Sequence, residues 1–328
     1  MTGGAVKRAS LLIVLAALPM LVAAAAAADT VRIAHATWVG FGPLYIARDR
    51  GLFKKNGVDV ALMTSEDASE RFAALGADRI QMIAGSVAAG VLHLATPGDL
   101  KYVAALDDSD GGDGILARRD ITTLAALRGR TVGFNDGSAA EFYLNVLLAK
   151  AGLSERDISI ERMSEAAAGQ AFTAGRLDAA VIRQPWLSRD RATPSGHLLV
   201  DSATTPGLIT DALIVRTGWA ASHPAAVAAV VRSWNEAVAF YAAHPDDAIQ
   251  IMARAVGGGT TDPAAFKAML GGVRFYDAAA NAAFFGTPAR PGPLYDTVQA
   301  AIEIWSSRGM LRVAATPAEL ITDSYLSQ

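Results

Sequence analysis

Four loops carry the side chains of this chain that can do chemistry, and each stands between an apolar, strand-like run and a helix-like one. The first, residues 37–42, places Trp38 and Phe41 among glycines. An indole there offers a stacking wall and a face that attracts a cation, or it packs as an ordinary loop residue. The second loop ends in Ser86 and the third in Ser138, hydroxyls standing just before helical patterns. Serine in that position caps free N–H groups, holds an anionic ligand group beside them, or does both. Glu141 follows in the third helix's first turn, where the helix dipole favours an acid without any ligand. The fourth loop reads Arg183-Gln184-Pro185-Trp186. Its guanidinium can grip a carboxylate, sulfonate or phosphonate through two parallel hydrogen bonds, or pair with an acid of its own chain.

Acids outnumber bases around these loops. Asp110 and Asp113 stand in a glycine-rich stretch, and Asp211 opens a strand pattern, with no helix dipole to account for any of the three. An ammonium group answers such an excess, so the expected ligand is a small amine or zwitterion. Replacing Asp211 by Asn is then expected to weaken an amine by more than about tenfold.

Several other chemistries find no support. The chain has no cysteine, hence no disulfide, thiolate metal site or lipid-acceptor residue. A net charge of −3, with both signs scattered, lacks the basic patch that a nucleic acid requires. Neither a Gly-x-Ser-x-Gly elbow nor a His-Glu-x-x-His helix is present, and His223 and His244 precede prolines that start helices. His35, after the first strand, is the histidine best placed for an enzyme. No cofactor or metal is expected.

The elements that must position these loops alternate. In the 328-residue chain, residues 1–28 read as an export signal: Lys7 and Arg8, an apolar run at 11–22, then an alanine run with cleavage expected near Ala28. Strand patterns follow at 31–34, 58–62 and 80–84, with helical ones at 44–50, 68–75 and 87–94. A second series has strands at 115–117, 131–134, 158–161 and 179–182 and helices at 141–151 and 166–174. One more strand, 212–215, precedes a helical remainder at 224–241, from 245, and at 263–270, 294–307 and 317–324. Such alternation predicts an α/β fold of parallel βαβ units. The expected organisation is two lobes: 29–112 with 213–328, and 113–212, hinged near 107–114 and 204–212.

The chain resembles the periplasmic binding proteins for nitrate, taurine, alkanesulfonates and thiamine precursors. The resemblance is carried by WVGFGPLYIARDRGLF at 38–53, GVDVAL at 57–62, GRTVG at 129–133, EFYL at 141–144, AGRLDAAV at 174–181 with Pro185 and Trp186, and PGLITD at 206–211. Those stretches keep the family's order across most of the chain after residue 28. The resemblance implies a two-lobed type II periplasmic binding protein, with one small ligand enclosed by hinge closure and a membrane ABC permease as partner. With the export signal, a periplasmic location is expected, and the protein is expected to be a monomer. Relatives often carry Trp-Glu-Pro-Trp where this chain has Arg183-Gln184-Pro185-Trp186, and Gln184 in place of the acid breaks any transfer of a specific ligand. Thiamine-pyrimidine synthases share the fold, so an enzyme of that kind is one alternative and a ligand-sensing receptor subunit another.

Overall fold

A computed structural model describes residues 1–3, 30–191, 193–194, 196–256 and 261–326. The expected export signal, with Lys7, Arg8 and the cleavage point near Ala28, lies outside the described residues.

The first series of elements comprises strands β1 (Val31–His35), β2 (Val60–Thr64), β3 (Met82–Ser86) and β4 (Leu100–Ser109). Its helices are α1 (Gly42–Asp49), α2 (Leu52–Lys55), α3 (Ala68–Gly76) and α4 (Val87–Leu92). The second has β5 (Asp113–Arg118), β6 (Thr131–Phe134), β7 (Ser159–Arg162), β8 (Ala179–Arg183) and β9 (Gly196–Asp201). With them come α5 (Ala139–Lys150), α6 (Glu165–Thr173) and α7 (Trp186–Asp190). The remainder holds β10 (Thr210–Arg216) and β11 (Val273–Phe275). Its helices are α8 (Thr217–Ser222), α9 (Pro224–Ala243), α10 (Pro245–Ala255), α11 (Pro263–Leu270), α12 (Ala278–Phe285) and α13 (Pro293–Ser307).

These strands form two sheets. One has the order β11-β4-β10-β3-β1-β2 and the other β7-β6-β8-β5-β9. We call the unit built on the first sheet lobe 1 and the unit built on the second lobe 2. Both sheets are mixed rather than purely parallel. In lobe 1, β1 runs parallel to β2 and β3, whereas β10 lies antiparallel to β3 and β4. In lobe 2, β6 is parallel to β7 and β8, and β5 antiparallel to β8 and β9. The reversals come from the strands that cross between lobes, since β5 and β10 each enter a sheet from the other lobe.

Strand residues alternate between two apolar layers in each lobe. On β10, Leu213 and Val215 join one cluster of lobe 1 while Ala212 and Ile214 join the other. On β5, Ile115 and Ala117 face one cluster of lobe 2 and Leu116 the second. Helices cover both faces, as sheets with two apolar sides require. Trp234 and Trp305, expected to pack, are wholly buried in lobe 1, and Trp219 lies half-buried against His223.

The sheets change at two short crossovers, residues 110–112 and 202–209. Strand structure therefore reaches further into the expected hinges than their turn-rich composition predicts: Asp107 and Asp108 lie within β4, and Asp211 within β10. Ser202, wholly buried, laces the crossovers together; its Oγ lies 2.8 Å from Ser109 Oγ and accepts from Gly111 N at 2.8 Å. Gly112 has no room for a side chain, because a Cβ there would meet the Trp38 ring and the Gly272 carbonyl.

Candidate functional site

The carboxyl ends of β1, β3, β6 and β8 converge where the lobes face each other, the place at which open α/β sheets bind ligands. Each strand hands over to a loop there. Ser86 closes β3 and caps α4, its Oγ accepting from Ala89 N at 3.3 Å. Ser138 caps α5 by accepting from Ala140 N at 3.1 Å, and its own hydroxyl donates to Asn135 O at 2.7 Å. Both serines therefore do the capping that their positions predicted.

Between these loops lies a cavity of about 20 Å³, enough for about one water molecule. Lobe 1 lines it with Ala36, Phe41, Arg71, Ala84, Gly85, Ser86 and Ala89, and lobe 2 with Asn135, Ser138, Ala139 and Arg183. Two guanidiniums from different lobes thus share one small space. Arg71, on the buried stripe of α3, donates to Ser65 O, but its Nε is buried without a hydrogen-bond partner. Arg183 Nε is in the same condition: it sits 2.9 Å from Glu165 Oε2, yet off the direction of a hydrogen bond. The face of Trp38 lies 5.7 Å from the Arg183 carbon centre, a cation–π contact across the lobe boundary.

Carboxylates surround Arg183 behind the cavity. Asp113 is its cross-strand partner on β5, and Asp211 is the cross-strand partner of Asp107 on β4. All three acids and Glu165 are nearly or wholly buried. Burial works against the Arg183 charge, but Glu165, Asp113 and Asp211 outweigh it and hold the guanidinium above its usual range. Burial pushes Glu165 up to about 7 and Asp211 up to about 7, with Arg183 pulling each back. Asp107, buried beside Asp211, is raised well above the carboxylate range although Trp38 Nε1 donates to its Oδ1 at 2.8 Å. Burial first, and then the Arg183 charge, lower Arg71 to about 10 while Glu66 opposes.

The sequence-predicted residues divide. Phe41, Ser86, Ser138 and Arg183 meet at the cavity, and Trp38 stands directly behind it against Arg183. Asp113 and Asp211 act on the Arg183 charge without lining the cavity, and Asp211 Oδ1 is buried without a hydrogen-bond partner. Four others lie elsewhere. Asp110 is exposed on the first crossover. Glu141 faces away from the cavity: its Oε2 accepts from Gly137 N at 2.7 Å, and Arg308 approaches its other oxygen. Gln184 spends its carbonyl on Ser188 N at 3.1 Å, and Trp186 fills the core of lobe 2 beside Phe172 and Leu187. Those four positions read as a site in the sequence because loops and helix starts attract polar residues for local reasons too.

Two polar lining residues escaped the sequence reading. Arg71 had a legible signal: with Ala68 and Leu75 it falls on the apolar stripe of an amphipathic helix, where an arginine needs a reason. Asn135 had none, being one polar residue in a turn. His35 is accounted for structurally, with Nε2 3.1 Å from the Tyr45 hydroxyl. No group of His, Asp or Glu able to hold a metal occurs among the described residues. Among them also, no helix is long and apolar enough to cross a membrane. A larger cavity, about 890 Å³, opens at the far end of β1 near Arg32, Trp219 and His223, away from this convergence of strand ends.

The fold is thus two α/β lobes, each built on its own mixed sheet, with a small cavity where their strand ends face each other. The chain belongs to the NMT1/THI5-like family, whose model matches residues 38–248. It is 27% identical over 214 residues to a binding protein of Brucella abortus (strain 2308), covering 64% of this chain and 66% of that one. It is 26% identical over 215 residues to a Bacillus subtilis (strain 168) protein named as an aliphatic sulfonates-binding protein, covering 64% and 65%. The chain thus spans just under two thirds of the length of the curated relatives it matches. Among solved structures, the alkanesulfonate-binding protein SsuA of Xanthomonas axonopodis pv. citri, bound to MOPS, superposes with a TM-score of 0.69. That match has 21% identity and covers 88% of this chain and 98% of that one. The nitrate-binding protein NrtA of Synechocystis PCC 6803 superposes equally, at 0.69, with 15% identity over 91% and 87%. These likenesses establish the periplasmic-binding-protein fold.

Proposed function

We propose that the protein is the solute-binding component of an ABC-type importer, acting outside the cytoplasmic membrane as a monomer. It closes about the crossovers 110–112 and 202–209 over one small organic ligand and delivers it to a membrane permease. The ligand's recognised group is an anion, a sulfonate first, held between Arg71 of lobe 1 and Arg183 of lobe 2. One observation carries this reading: two buried guanidiniums of opposite lobes face the same cavity, each with an Nε that makes no hydrogen bond. Like charges so placed repel, and an anion between them relieves the repulsion only when the lobes are together. That is the differential binding which closure requires. The sulfonate named for the Bacillus subtilis relative agrees with this chemistry.

A second reading keeps an amine in the ligand. The carboxylates Asp107, Asp113, Asp211 and Glu165 outnumber the two arginines, so a zwitterion could place an ammonium toward them. Titration calorimetry with ethanesulfonate, 2-aminoethanesulfonate and ethylamine separates the two. Ethanesulfonate is expected to bind, with Arg183→Gln and Arg71→Gln each weakening it more than about tenfold, or about 1.4 kcal/mol. Binding of ethylamine but not ethanesulfonate would overturn the anion reading; a clear preference for the aminosulfonate would favour the second.

A further inference from the structure

Helix α5 belongs to lobe 2, yet its Phe142 is buried in a core cluster of lobe 1. The ring lies 5.8 Å, centroid to centroid, from the indole of Trp305 on α13, and Val146 of α5 packs against the same cluster. Trp305 is itself fixed, its Nε1 donating to Ala88 O of α4 at 2.9 Å. One turn further along, just past the end of α13, Arg308 crosses back to lobe 2. It forms an ion pair with Glu155, and its Nη2 lies 4.0 Å from Glu141 Oε1. Asn145 of α5 braces the acid by donating to Glu155 Oε1 at 3.1 Å. Arg308 and Glu155 are both mostly buried. None of these residues lines the cavity between Arg71 and Arg183.

We propose that Phe142 and the Arg308–Glu155–Glu141 group form a clamp between the lobes, on the side away from the ligand, that holds the ligand-free protein closed and thereby sets ligand affinity. The inference rests on the closure reading above. The physical case is that the apolar and ionic parts are spent on the same relative placement of the lobes. Opening would expose the Phe142–Trp305 contact to water and separate a largely desolvated ion pair. Neither cost depends on a ligand. A ligand that binds the closed form therefore meets a protein already biased toward it, and its apparent dissociation constant scales inversely with the closed fraction. Arg308 and Phe142 are positioning residues in this sense: they act on the ligand only through the lobes.

The test is small-angle scattering of the purified protein without ligand. Arg308→Glu places like charges against Glu155 and Glu141 and is expected to enlarge the radius of gyration over wild type. Adding Glu155→Arg to that variant restores opposite charges and is expected to return the compact value. Arg308→Gln, a milder change, gives an intermediate expansion and serves if the reversal impairs folding. The apparent Kd for ethanesulfonate is expected to rise roughly tenfold in Arg308→Glu, and saturating ethanesulfonate to compact it. An unchanged ligand-free radius in both Arg308 variants overturns the clamp. If ethanesulfonate binds no variant and no wild type, the ligand reading fails, while the scattering still judges the clamp by itself.

Discussion

Trp38 shows how one side chain can serve two lobes. Its ring edge donates to Asp107 within lobe 1, and its face carries the Arg183 guanidinium of lobe 2. Trp38→Phe keeps an aromatic face but leaves Asp107 buried without its indole partner, so a loss of about 1–3 kcal/mol is expected in urea unfolding. Asp107→Asn retains an acceptor for the indole and replaces a carboxyl whose ionised form burial and Asp211 disfavour, so it is expected to cost little or to stabilise. Acid–base behaviour belongs to the same scale. Glu165 and Asp211 are each pushed by burial to about 7, against unfolded values near 4. The folded protein thus holds protons that the unfolded chain releases, and stability falls as pH rises from about 4 through about 7. Calorimetric melting is expected to show a higher midpoint at pH 5 than at pH 8, and Asp211→Asn to shrink the difference. An equal difference in wild type and variant would remove Asp211 as a source. Arg71 and Asp211 illustrate the limits of reading single residues. Arg71 hides in a helix among ordinary charged neighbours, and Asp211 announces itself at a strand start yet does not line the cavity.

At the scale of elements, helices were the most legible. Proline at the first helical position and a serine or aspartate cap mark their starts, and α11 and β6 fall on the residues the patterns indicate. Ser138→Ala is expected to cost about 1 kcal/mol through the lost α5 cap, and Ser138→Gly a few tenths. Chemical denaturation measures both. An alanine variant as stable as wild type would assign the hydroxyl to something other than capping. The long strand β4 was missed, and its burial explains why. Nine of its ten residues are buried, so no polar alternation betrays it, and Asp107 and Asp108 at its end imitate a turn. Those acids survive inside a sheet because partners come from elsewhere in the chain: Trp38 for Asp107, and Arg274 at 2.5 Å for Asp108. The short strand β11 and β9 were missed for a related reason, being defined by pairing with β4 and β5 more than by their own pattern.

Across the whole molecule, the lobes are joined by the crossovers 110–112 and 202–209 and touch again where Phe142 packs into lobe 1. Gly112 is the tightest point of the first crossover, pressed by Trp38 and by Gly272 of the loop before β11. Gly112→Ala forces one of these apart and is expected to lower stability by about 1–3 kcal/mol, read as a drop in melting temperature. A melting point equal to wild type would show that the crossover yields more easily than its packing implies. The residues themselves, through periodicity, caps and the ordered family stretches, were enough to establish an α/β chain of two similar units and the loops that face their junction. Local pattern carries that information because strand and helix periods are written in neighbouring residues. Tertiary structure alone decided which charges meet: Arg71 with Arg183 at the cavity, Asp113, Asp211 and Glu165 around Arg183, and Arg308 with Glu155 on the far side. Such pairings join residues tens to hundreds of positions apart, and a buried charge is recognised only once its desolvation and its partners are set by the folded chain.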